Sequence, residues 1–113
     1  MVYLVGDDGD GVVGFAQFTW GDACREGYVG DDEALLHSLY VAPDCWREGA
    51  GTALLERGVE QLPDRLDRLK LGVLPDNEVG RSFYDDHGFE VVGEDVYEMG
   101  AASYDVLVLA RDL

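Results

Sequence analysis

Apolar residues along this chain fall into short strand-like runs near both ends and two helical-period stretches between them. Residues 2–5 form a short apolar run, stopped by the cluster Asp7-Asp8-Gly9-Asp10-Gly11, and residues 12–20 resume with β-branched and aromatic side chains. Two such runs about a turn apart predict a β-hairpin. The polar, glycine-bearing segment 21–32 reads as a surface loop, and residues 35–41 as a third strand that completes an antiparallel meander. Leu54, Leu55, Val59 and Leu62 then recur at helical spacing, which predicts a helix over 50–62. Pro63-Asp64 breaks that pattern. The stretch LKLGVL at 69–74 is strand-like and is stopped by Pro75-Asp76-Asn77. Val79 and Phe83, four apart, mark a second helix over 78–87, with Gly88 as its C′ residue and His87 near its negative end. Two further strands, 89–97 and 104–110, are joined by a loop through Gly100. The expected fold is α/β, a mixed and mostly antiparallel sheet in the order β-β-β-α-β-α-β-β, forming a single domain over residues 1–113.

Composition narrows the function classes. The chain is 47% hydrophobic, enough for one core, so its charge does not imply disorder. It carries 24 acidic against 8 basic residues, a formal net charge of −16, and Lys70 is its only lysine. No basic stripe exists to neutralise phosphates, which excludes general nucleic-acid binding and docking on anionic membranes. The acidity is spread along the chain and reads as a surface suited to a high-salt cytoplasm, where screening makes self-repulsion tolerable. An ordinary acidic protein is the plainer alternative. The first residues run directly into a strand and no segment is apolar enough to span a membrane, so a cytoplasmic location is expected. Cys24 and Cys45 show neither a CxxC nor a His-linked spacing, so no metal site is expected and both thiols read as reduced.

The candidate chemistry gathers after the third strand. There the chain turns at Ala42-Pro43, crosses a polar loop and enters a helix through Gly49-Ala50-Gly51. The first N–H groups of a helix have no internal partner, its dipole is positive there, and glycine lets an anion approach the backbone. A third glycine for a dinucleotide fingerprint is missing, and so is the Gly-Lys-Ser/Thr of a P-loop. Read alone, the glycines equally suit a mere tight entry into a helix.

The surrounding residues carry more. Val41-Ala42-Pro43, a short loop, and Gly49-Ala50-Gly51-Thr52-Ala53-Leu54-Leu55 resemble the acyl-CoA-binding motif of the GNAT N-acetyltransferase family. Asn77, then Gly80-Arg81-Ser82-Phe83-Tyr84 and His87-Gly88-Phe89, resemble its second cofactor motif. The resemblance implies acetyl-CoA as acyl donor, with its pyrophosphate on the backbone between Arg47 and Thr52, that is Arg47, Glu48, Gly49, Ala50, Gly51 and Thr52. The pantetheine arm would run beside Leu39 and Val41 like an added strand. Asn77 would contact the cofactor, and a helix N-cap suits it equally. Trp46 stands where the family usually has Arg or Gln, so Arg47 and Arg81 are the candidates for a positive mouth; both also suit solvated surface charges.

For catalysis the resemblance implies Tyr84 as the general acid that protonates the departing thiolate, against a plain packing role beside Phe83. Glu33 and His37 are the candidates for the general base. Glu33 alternatively reads as a solvated loop charge, and His37, in line with Leu35 and Leu39, as a core histidine. The family's usual first strand and two helices are not seen before the hairpin; a compact variant, a misplaced start and a homodimer whose partner covers the gap are the competing explanations. An uncovered sheet face would expose residues such as Val13, Phe15 and Phe18, depending on register, which favours the homodimer. The activity implied is acetyl transfer from acetyl-CoA to an amine by direct attack. A CoA- or partner-binding domain without turnover is the alternative.

Overall fold

In the computed structural model, which describes residues 2–7, 9, 11–21, 28–43 and 49–113, the elements follow the expected order. They are β1 (Val2–Asp7), β2 (Val12–Trp20), β3 (Glu33–Val41), α1 (Ala50–Glu60), β4 (Arg68–Val73), α2 (Glu78–Asp86), β5 (Glu90–Met99) and β6 (Ala102–Asp112). The strands form one six-stranded sheet in the order β1-β2-β3-β4-β6-β5. Only β3 and β4 pair in parallel; the other neighbours are antiparallel. Parallel neighbours need a long crossover, which α1 supplies. The last strand inserts between β4 and β5, so the sheet is not in chain order.

The core lies between one face of this sheet and α1. Ala16 and Phe18 of β2, Leu36 of β3, Leu69 and Leu71 of β4 and Leu109 of β6 meet Leu54 and Leu55 of α1 in one buried cluster. Gly58 sets how close the helix can lie. A Cβ built there would stand 2.0 Å from Cε1 of Phe18, so only glycine lets that ring pass against the helix backbone. The expectation that Phe18 lies on an uncovered face is therefore corrected: its ring is fully buried under α1. Side chains alternate along a strand, and Phe15, three residues earlier, falls on the opposite face. There Tyr3, Phe15 and Tyr40 stack across three strands, with ring centroids 6.1 Å and 5.6 Å apart. Tyr3, Val5 and Tyr40 are exposed on that face. Across the core side, Arg111 of β6 donates two hydrogen bonds to the Glu56 carboxylate of α1, at 2.6 Å and 3.2 Å.

Candidate active site

The site is a wedge between β3 and β4. These strands pair over three positions only, Glu33↔Arg68, Ala34↔Leu69 and Leu35↔Lys70. Beyond them β3 bends away. Its partner β2 matches Phe18 to Leu36 and Gln17 to Ser38, so His37 is an extra residue, a bulge. A bulge bends its strand and increases the local twist. β4 meanwhile stays paired with β6 through Val73. The gap becomes a cavity of about 1140 Å³ whose walls include Leu36 to Val41 of β3, Leu71 to Val73 of β4 and the inward side of α2.

The N-terminus of α1 opens on one end of the wedge. Gly49, the N-cap, holds φ 86° and offers no side-chain cap of its own, and no acid stands in the first turn. The left-handed backbone there favours glycine. Gly51 is small for a different reason: a Cβ would lie 3.2 Å from the Phe83 ring, which packs against this turn. Gly49, Gly51 and Thr52 line the cavity, with Leu39 and Val41 across from them. Ala50 occupies the first helical position between the glycines. Trp46, Arg47 and Glu48, like Cys24 and Cys45, lie outside the described residues.

Helix α2 forms the other wall. Asn77 is its N-cap, with Oδ1 accepting from the Gly80 N–H at 3.0 Å, and its side chain also lines the cavity. Arg81 stands apart from this wall. Its guanidinium donates to the Pro75 carbonyl at 3.1 Å, outside the cavity lining. A helix turns about 100° per residue, so the face that presents Gly80, Phe83, Tyr84 and His87 turns Arg81 aside. Tyr84 lines the cavity and packs edge-on against Phe83 and Phe89, with centroids 5.4 Å and 5.5 Å away. Burial pushes its phenol up to about 12, so the hydroxyl keeps its proton at any working pH. Packing and proton donation are thus compatible at this residue.

The structure separates the two base candidates. His37 is exposed at the bulge, lines the cavity and holds Nδ1 2.8 Å from the Ser38 hydroxyl. It is not a core histidine; the bulge breaks the alternation that would have turned it inward with Leu35. Glu33 sits at the closed end, outside the cavity lining, and is no solvated loop charge. Its carboxylate accepts from Lys70 at 3.0 Å and from the Gly30 N–H at 2.8 Å, with Arg68 4.0 Å away. Burial pushes that carboxyl up, but the Gly30 bond and the two cations outweigh it and hold it below the usual range.

The sequence reading placed His87 at the end of the second helix and in the second motif but not its contacts. His87 joins the two helices: Nδ1 lies 2.7 Å from the Phe83 carbonyl, Nε2 lies 2.8 Å from the Thr52 hydroxyl, and the ring stacks on Phe83 at 4.2 Å. The four-residue spacing of Phe83 and His87 was the available signal. Among the described residues no cluster of His, Cys, Asp or Glu is arranged to hold a metal ion.

Known proteins share this fold. The sequence profile of the Acetyltransferase (GNAT) family matches residues 1–89. The chain is 32% identical over 99 residues to the uncharacterized N-acetyltransferase YuaI of Bacillus subtilis, covering 87% of this chain and 54% of that one. It spans little more than half of that relative. The crystal structure of the PaiA N-acetyltransferase from Thermoplasma acidophilum in complex with coenzyme A superposes with a TM-score of 0.75, at 20% identity, over 99% of this chain and 60% of that one. The ribosomal-protein-alanine N-acetyltransferase of Brucella melitensis superposes with a TM-score of 0.76, at 25% identity, over 98% of this chain and 68% of that one. With the profile covering most of its length and the splayed β3–β4 pair leading to the glycine turn, this chain belongs to the GNAT acetyltransferase family.

Proposed function

We propose that this chain binds acetyl-CoA in the β3–β4 wedge and transfers the acetyl group to a primary amine by direct attack. The observation that carries this reading is a wedge that ends on a helix N-terminus whose cap is a glycine and holds a neutral tyrosine in its wall. Helix N–H groups at Gly49 to Thr52 suit the diphosphate. Parallel pairing of β3 with β4 stops at Leu35, and the edge from Leu36 to Tyr40 faces the cavity, which suits an extended pantetheine arm. A backbone N–H near Leu39 would polarise the thioester carbonyl.

The amine must lose a proton, and His37 is the named base candidate on the cavity. Tyr84 answers the departing thiolate. A phenol near 12 facing an ordinary thiol near 8.5 leaves full proton transfer uphill by about 5 kcal/mol. Its hydroxyl therefore acts as the C–S bond breaks, first by hydrogen-bonding the growing negative charge. The second reading, a CoA-binding domain without turnover, draws on Glu33 being committed to its ion pairs, which leaves one base candidate fewer.

The charge of −16 supports work in a high-salt cytoplasm. The exposed Tyr3–Phe15–Tyr40 face supports a homodimer, for which a monomer by light scattering at high salt is the refuting result. Calorimetry with acetyl-CoA and CoA in high salt tests the main proposal, and no heat from either ligand removes both the enzyme and the binding reading. Where binding is seen, thiol release across an amine panel separates the two.

A further inference from the structure

The geometry points to a second task for the cavity wall. We propose that His87 is a positioning residue that sets the direction of the Thr52 hydroxyl, so that binding a diphosphate there is tied to uptake of one proton by the imidazole. The inference rests on the acyl-CoA reading above and deepens it.

The Phe83 carbonyl can only accept, so the Nδ1 atom 2.7 Å away carries a hydrogen. In the neutral ring Nε2 is then an acceptor, and the Thr52 hydroxyl 2.8 Å away must donate to it. A hydroxyl has one hydrogen. While it points at His87 it has none for a ligand, and its remaining lone pairs repel phosphate oxygens. Thr52 is the third residue of α1, in the turn whose N–H groups suit an anion. A proton added to Nε2 reverses the bond: the imidazolium donates to Thr52 Oγ1, and the hydroxyl hydrogen swings to a phosphate oxygen. The balance is one proton taken from solvent and held on Nε2. The ring itself cannot turn away, since the Phe83 carbonyl fixes one edge and the Phe83 ring one face.

Other charges face this pair. Glu56 on α1 is close enough to feel the His87 charge, and Arg111 of β6 binds Glu56 and lies beside Gly88. Asp85 and Asp86 precede His87 at the end of α2, and Asp86 shares the cavity wall. The hydrogen bond from Arg111 holds the Glu56 carboxyl below its usual range, so Glu56 stays ionised between pH 5 and 8 and contributes no step there.

The test is calorimetry with dephospho-CoA, which keeps the diphosphate and lacks the 3′-phosphomonoester that would titrate near 6. It is run near pH 5.5 and near pH 8, in buffers of different ionisation enthalpy, a range that spans ordinary histidine titration. Wild type is expected to bind about tenfold tighter at the lower pH, the size of one charge-assisted hydrogen bond, with a proton taken up on binding. Thr52→Val is expected to bind with no pH dependence and no proton uptake. His87→Gln, whose amide can donate to Thr52 without titrating, is expected to retain tight binding near pH 8 and lose the uptake. Equal pH dependence in wild type and Thr52→Val overturns the role of His87 while leaving the acyl-CoA reading intact. Absence of binding by wild type at both pH values overturns that reading and this one with it.

Discussion

The two ends of the β3–β4 junction are built from opposite materials. At the closed end three residue pairs hold the strands together, and the Glu33–Lys70 and Glu33–Arg68 ion pairs seal them. Lys70 also donates to the Tyr28 carbonyl at 2.9 Å, and the Asp67 N–H reaches the Asp32 carbonyl at 2.7 Å. The Glu33 carboxylate and the Lys70 ammonium there are both already engaged. A few residues further on, one bulge at His37 separates the same strands, and the wall carries a helix start capped only by a glycine backbone among the described residues and a phenol that keeps its proton. Rigidity and readiness are thus neighbours, and the first keeps the second in place. A site needs donors that are aimed but not yet satisfied, and these survive only where nearby structure leaves them no way to collapse.

The comparison can be broken at either end. The largest effect is expected from Tyr84→Phe, which should lower kcat by about 10²-fold or more while leaving CoA affinity nearly unchanged, measured by thiol release and calorimetry. An equal loss of affinity would make Tyr84 a packing residue instead. Gly58→Ala pushes a methyl into the Phe18 ring and should cost about 1–3 kcal/mol of stability, read by thermal or denaturant unfolding. Lys70→Met attacks the closed end. It removes the nearer cation from Glu33 and the donor to Tyr28, and should cost about 1–3 kcal/mol while CoA binding persists.

That variant also has a pH signature. The folded carboxyl of Glu33 lies below its ordinary value of 4.5, so its contribution is complete above that pH and is lost as pH falls through the folded value. Lys70→Met should therefore unfold at a higher pH than wild type on acid titration. A coincident acid transition would show that Glu33 contributes through Arg68 and Gly30 alone. The smallest effect is expected from Gly49→Ala, about 1 kcal/mol from the left-handed backbone, read as a lower melting temperature and weaker CoA binding.

Much of this was legible from residue order. Helix α1 announced itself through Leu54, Leu55 and Val59, and α2 through Val79, Phe83 and the stop at Gly88, whose φ of 87° is the expected left-handed one. Strand β3 starts two residues earlier than its apolar run because the parallel register recruits Glu33. What stayed hidden was set by partners far along the chain. Glu33 next to Asp31 and Asp32 looks like one more surface acid until β4 delivers Lys70, 37 positions later. His37 looks inward by simple alternation until the unequal pairing with β2 makes it a bulge. Phe15 and Phe18 cannot be assigned to faces until Gly58 reveals which ring the helix was shaped to admit. The placement of β6 between β4 and β5 likewise follows from sheet pairing, which no local pattern encodes.

The Lys70 ion pair also decides what a labelling experiment on this chain can see. Lys70 is its only lysine, its side chain is 14% exposed, and its ammonium is held by a carboxylate and a carbonyl. An ammonium so engaged and so little exposed is shielded from an acylating reagent, so the chain presents no readily reactive ε-amine of its own. Acetyl transferred onto the protein itself through a lysine would then be a negligible background. Radiolabel that accumulates on an added amine can be credited to that amine, and amine-reactive dyes and cross-linkers will under-report the protein unless the closed end has first been opened.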